Sequence, residues 1–110
     1  MLRDDSILIK HILEAAEKSI DFLSECTKED LQDDEKLALS IIRLLEIVGE
    51  AANQVSEGYR TKHPDIPWKN MVALRNRLIH GYFDVDLDIV WDTVHSDLPP
   101  VVKQLRKLIK

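Results

Sequence analysis

The sequence predicts an all-α protein, an antiparallel bundle of four to five helices that pairs with a second copy of itself. Three observations carry that expectation. Glycine and proline number only 3 and 4 in 110 residues, while Leu, Ile, Ala, Glu and Lys are abundant, which is a helical composition. Apolar residues recur at three- and four-residue steps along most of the chain. One long stretch is apolar on nearly every side, so it has more than one face to bury. The length is near the commonest domain size, so residues 1–110 read as one domain. With 45% hydrophobic but only 5% aromatic residues, its core is small and aliphatic.

The first helix is expected from about Asp4 to Glu25, capped by Asp4 or Asp5, with Ile9, Ile12, Leu13, Ala16, Ile20 and Leu23 on one stripe. His11 lies off that stripe and reads as solvated. Thr27 with Asp30 three residues on has the pattern of a capping box for a short turn. Asp33, Asp34 and Glu35 then supply acids where a helix dipole favours them, so the run needs no metal to explain it.

The second helix is expected from about Asp34 to Glu57, stopping near Gly58. Its main stripe holds Leu37, Ile41, Leu44, Leu45, Val48, Ala51, Ala52 and Val55. Leu39, Ile42 and Ile47 point elsewhere, because each residue turns the helix by about 100°. In so small a domain the second apolar face is expected to meet another subunit, which makes a homodimer. Gly49, placed mid-helix beside Ala51 and Ala52, lets a second backbone approach closely. Arg43 and Glu50 share a face two turns apart with Glu46 beside them. They read either as an ion-pair ladder or as the edge of a cleft.

Residues from Gly58 to Ile66 are expected to connect helices, with His63 a loop residue and Pro64 and Pro67 preventing helix between them. Pro67 suits the first turn of a third helix that Trp68 and Met71 anchor and that ends at His80, before Gly81. Asp86 is a good cap for a last segment to about Ile109, which Pro99-Pro100 must break or kink and Asp97 can recap.

The third helix ends in Arg75-Asn76-Arg77-Leu78-Ile79-His80-Gly81-Tyr82. Arginine is a permanent cation whose planar fork suits phosphate oxygens, and histidine moves protons near neutral pH. Together they suggest a site for a phosphodiester or a nucleotide. The same residue types on a helix end also serve as plain capping and surface. At the carboxyl end of a helix, the dipole favours protonated His80 while the two arginines oppose it, so its charge state is tunable.

Arg-x-x-x-x-His-x-Tyr, with Asn after the first Arg, resembles the HEPN domain motif in the form carried by HepT-like toxins. Val48-Gly49-Glu50-Ala51-Ala52-Asn53 resembles that family's second-helix signature. Ile66-Pro67-Trp68-Lys69, Gly81 to Asp86, and Val90-Trp91 through Asp97-Leu98-Pro99 extend the likeness over essentially the whole chain. The resemblance implies a metal-independent endoribonuclease, the toxin of a type VII-like toxin–antitoxin pair. Arg75 and His80 would be catalytic, and Asn76 and Arg77 would position the substrate. Arg43 and Glu50 would lie at the cleft edge. It further implies that Tyr82 is AMPylated by a minimal nucleotidyltransferase antitoxin (MntA-like). RNA is the implied substrate, and neither a metal nor a cofactor is called for. The alternative is a non-catalytic, nucleotide-binding or accessory subunit of such a nucleotidyltransferase.

A net charge of −5 argues against coating long nucleic acid and leaves only a local cationic cleft. A single cysteine, Cys26, excludes a disulfide or a Cys-based zinc site within one chain. No signal peptide and no apolar run long enough for a bilayer are present, so a cytoplasmic setting is expected.

Overall fold

The computed structural model describes residues 4–78 and 85–109. Two long helices form its frame, α1 (Asp5–Leu23) and α3 (Glu35–Gln54). They run antiparallel, because the start of α1 meets the end of α3. The Asp5 carboxylate accepts hydrogen bonds from the Ser56 N–H at 2.9 Å and the Ser56 hydroxyl at 2.7 Å. Leu8, Ile9, Ile12 and Ala16 of α1 and Ile41, Leu45, Val48 and Ala52 of α3 are fully buried. Among the described residues there is no strand, so the all-α expectation holds.

Side chains set the starts of both long helices. Asp4 caps α1 by accepting from the Ser6 N–H and hydroxyl, each at 2.8 Å, and these bonds hold its carboxyl below the usual range. Thr27 and Asp30 form the expected capping box, which opens the short helix α2 (Lys28–Asp33). Asp34 caps α3 through the Leu37 N–H.

The expected stop at Gly58 is corrected. Helix α3 ends at Gln54, and Ser56 caps a further helix, α4 (Glu57–Lys62), which holds Gly58 inside it. The connection is therefore half helical. Ser56 wins locally because its hydroxyl accepts from the Tyr59 N–H at 3.2 Å. Arg60 then closes α3 by donating to the carbonyls of Ala52 and Asn53 at 2.8 and 2.9 Å.

The third helix is also corrected, being two short helices, α5 (Trp68–Val72) and α6 (Leu74–Leu78), with Ala73 between them. Trp68 and Met71 anchor α5 as expected, both buried, and the Trp68 indole N–H donates to the His63 carbonyl at 2.9 Å.

Asp86 caps the last segment, accepting from the N–H groups of Asp88 and Ile89. Beyond it, α7 (Leu87–Asp92) passes through a π-helical turn (Thr93–Asp97) into α8 (Leu98–Arg106). Asp97 makes no side-chain cap here, contrary to expectation. Pro99 and Pro100 have no N–H to give, so two carbonyls one turn earlier lose their helical donors. The widened turn absorbs that mismatch without breaking the helix. An Arg106–Glu17 ion pair ties the end of α8 to α1.

Candidate functional site

The first half of the motif, Arg75 to Leu78, is carried by α6, and α6 is held by α3. Gly49 faces the junction of α5 and α6 so closely that a Cβ there would lie 3.0 Å from the Met71 carbonyl oxygen and 3.9 Å from the Leu74 Cβ. The close backbone approach expected at Gly49 is therefore to the motif-bearing segment of the same chain. Leu74 and Leu78 bury the inner face of α6.

Arg75, Asn76 and Arg77 are exposed. Two residues apart on a helix is about 200° of rotation, so the arginines flank the buried Leu74–Leu78 stripe on opposite sides. The structure does not bring them to one point. Arg77 lines a cleft of about 650 Å³ between the α5–α6 segment and the π turn with α8, and Arg75 is outside it. Among the described residues neither arginine enters an ion pair.

His80 and Tyr82 lie outside the described residues. Both flanks of that segment are described, and the Asp86 N–H donates to the Leu78 carbonyl at 3.0 Å. Asp86, which caps α7, therefore lies against the end of α6.

Arg43 and Glu50 are joined at 3.1 Å, with Glu46 at 3.8 Å from the same guanidinium. This is the ion-pair ladder. It follows one flank of the α3 surface that holds α6, since Glu50 adjoins Gly49. Two carboxylates neutralise Arg43, so it adds little to a cationic cleft. His11 is exposed, and His63 ends α4 with its ring 4.6 Å from that of Tyr59. The Cys26 thiol donates to the Phe22 carbonyl at 3.4 Å.

A ribonuclease HepT-like family model matches residues 12–108. The chain belongs to the HepT-like family. It is 38% identical over 110 residues to "Probable ribonuclease HepT" of Thermococcus cleftensis, covering 100% of both chains. It is 36% identical over 108 residues to "Putative RNase MJ0127" of Methanocaldococcus jannaschii, covering 98% of this chain and 89% of the relative. No solved structure matches it. The HEPN resemblance read from the motif is borne out at the level of family, and the HepT-like chain keeps the all-α architecture that resemblance implied.

Sequence reading missed the far wall of the Arg77 cleft. Thr93, Ser96 and Asp97 reach it from the π turn, and Asp65 and Asn70 line it from the α5 side. Pro99-Pro100 was the available signal, because a double proline in a helical pattern demands a local change of register. The π turn is that change.

Proposed function

We propose that this HepT-like chain is a metal-independent endoribonuclease, the toxin of a type VII-like toxin–antitoxin pair acting in the cytoplasm. The observation that carries the reading is the ribonuclease HepT-like match over residues 12–108, a span that contains the whole Arg75–Tyr82 motif. Exposed Arg75 is free to meet a phosphate, which supports its role in holding the scissile group and the charge that develops on it. His80 is assigned proton transfer at the ribose 2′-hydroxyl or at the leaving oxygen. The 2′ oxygen attacks phosphorus, the bond to the 5′ oxygen breaks, and the departing oxygen takes a proton. The products are a 2′,3′-cyclic phosphate and a 5′-hydroxyl. Asn76 and Arg77 position the strand, and Glu50 with Arg43 borders the site.

The active unit is proposed to be a homodimer. Leu39 keeps 59% of its surface exposed, and Ile42 and Ile47 are only half-buried within one chain. These residues are the second apolar face of α3, which supports pairing. Among the described residues no helix is long and apolar enough to cross a membrane.

A partner nucleotidyltransferase is proposed to silence the toxin by attaching AMP to Tyr82. Added phosphate and adenine would repel and obstruct RNA beside Arg75. Incubation of the purified protein with total RNA and a metal chelator tests the core reading. Cleavage that disappears in His80→Ala while the dimer persists is the expected result; unchanged cleavage overturns it. Intact mass after co-expression with the partner should rise by AMP units, and a Tyr82→Phe chain that still gains them refutes that site. The acidic net charge of −5 favours a second reading, a non-catalytic nucleotide-binding or accessory subunit. That reading predicts partner binding without any RNA cleavage.

A further inference from the structure

We infer that the cleft beside Arg77 is a base-reading subsite, which takes one unpaired, amino-bearing nucleobase of the RNA strand. The inference rests on the ribonuclease reading and adds to it where the strand's sequence is sensed.

Three observations meet in this cleft. The first is its size and chemistry: about 650 Å³, with Met71, Leu74, Leu98 and Val101 as an apolar floor and a few polar groups around it. That combination suits a flat heterocycle with hydrogen-bonding edges. The second is Thr93. It is only 2% exposed and lines the cleft, and its hydroxyl is buried with no hydrogen-bond partner among the described residues. Buried polar atoms are rarely left without partners, and a small shift of the side chain toward the cleft would let a ligand satisfy this one. The third is the π turn itself, in which the Leu98 N–H bonds the Thr93 carbonyl five residues back. Such turns inside α-helices are concentrated at functional sites.

The charges choose the ligand. Asp65 and Asp97 line the cleft, and Arg77 is its one cation among the described residues. Two carboxylates repel a phosphate from the interior and leave Arg77 to hold it at the rim. Carboxylates accept hydrogen bonds, so they favour a base whose edge donates. Adenine, cytosine and guanine each present an exocyclic amine, whereas the one edge donor of uracil, N3–H, lies between two carbonyl oxygens that the acids repel. Single-stranded RNA offers such bases splayed from the stack, which is how most sequence-specific RNA sites are read. Arg77 and Arg75 flank the same short helix, so a strand crossing α6 meets the subsite and the phosphate-holding Arg75 in succession.

The test uses the full chain and short 2′-O-methyl oligouridylates, which cannot be cut, carrying a single A, C or G at a central position. Fluorescence anisotropy should show each of these bound roughly tenfold more tightly than plain oligouridylate, the discrimination expected of one well-placed base contact. Asp97→Asn and Asp65→Asn should erase most of that gain, and Thr93→Val should reduce it while the melting curve stays cooperative. Equal affinity for all four strands, or no binding at all, overturns the subsite. So does a preference that survives in both carboxamide variants. A free nucleoside monophosphate that binds as tightly as the oligonucleotide overturns the assignment to an RNA strand. Cleavage of unmodified RNA is measured alongside and keeps the two readings apart. Base preference without cleavage retains the subsite and removes the nuclease; cleavage without base preference does the reverse.

Discussion

Gly49 on α3 lies against the Met71 carbonyl, with room for a hydrogen and none to spare: a Cβ would sit 3.0 Å from that oxygen. The contact fixes the height of the motif helix on the core. Alanine is ordinarily better than glycine inside a helix by about 0.5–1 kcal/mol. Here that gain opposes a close contact with a backbone carbonyl, which is harder to displace than the end of a flexible side chain. Gly49→Ala should therefore destabilise the protein by roughly 1 kcal/mol, at the lower end of overpacking costs. Gly58 is the control, because nothing lies within 4 Å of its Cβ position. Gly58→Ala in α4 should stabilise by about 0.5–1 kcal/mol. Urea melts of the two variants should move in opposite directions; a stabilised Gly49→Ala would show that the carbonyl yields.

Arg75 projects from a five-residue helix whose inner face, Leu74 and Leu78, does the packing. Its removal should be nearly silent for folding, within about 0.5 kcal/mol, as for exposed positions generally. Cleavage should fall far more, roughly a hundredfold or beyond, if the guanidinium stabilises charge on the phosphate. Arg75→Lys should recover little, because an ammonium lacks the planar fork. Initial cleavage rates with matched thermal melts check this. A loss of activity that only tracks a loss of stability would assign Arg75 to the scaffold instead.

The long helices were legible in the sequence because their signals are local. Asp4, Thr27–Asp30 and Asp86 cap as their spacing suggests, and the three- and four-residue steps name the buried stripe. Where the structure differs, either a competing local signal or a contact from elsewhere in the chain wins. Gly58 looked like a stop, but Ser56 with the Tyr59 N–H offered a better start. The Pro67–His80 segment reads as one helix, but its described part is interrupted at Ala73, next to the Met71 and Val72 carbonyls that face Gly49 of α3. For the site, the motif string named the family but not the geometry. Closeness in sequence puts Arg75 and Arg77 in one cluster, and the helix turn sets them on opposite flanks. The cleft beside Arg77 needed α8 brought next to the turn that leads into α5, a contact no local pattern encodes. Gln104 makes it, donating to the Asp65 carbonyl at 3.2 Å.

Tyr59 gives an alkaline signature. Burial raises its hydroxyl above the ordinary value of 10.0, and the nearby Asp5 charge adds to the shift. The folded state thus holds the proton more tightly than the unfolded chain. The stability from this group is fully present below about pH 10, the unfolded value, and is lost as pH rises through the higher folded one. Tyr59→Phe should flatten the stability profile above that point while leaving neutral pH nearly unchanged. Urea midpoints compared across the alkaline range decide it, and identical slopes for both proteins would show that Tyr59 ionises alike in both states.

Thr93 should limit stability for the same reason it suits a ligand. Its buried hydroxyl forgoes water without gaining a partner among the described residues, a penalty of about 1–3 kcal/mol for such a group. Valine has nearly the same shape and comparable helix propensity. Thr93→Val should therefore raise the melting temperature by roughly 4–8 °C, the shift that 1 kcal/mol produces in a domain of about this size. Thr93→Ser keeps the hydroxyl and loses the methyl, so it should melt below the parent. A valine variant that melts no higher than the parent would mean the hydroxyl is already satisfied in the free protein, and the cleft would lose its strongest claim to a ligand. A valine variant that is more stable yet binds amino-bearing strands less well would instead show a group kept at a cost to folding because the ligand completes its hydrogen bond.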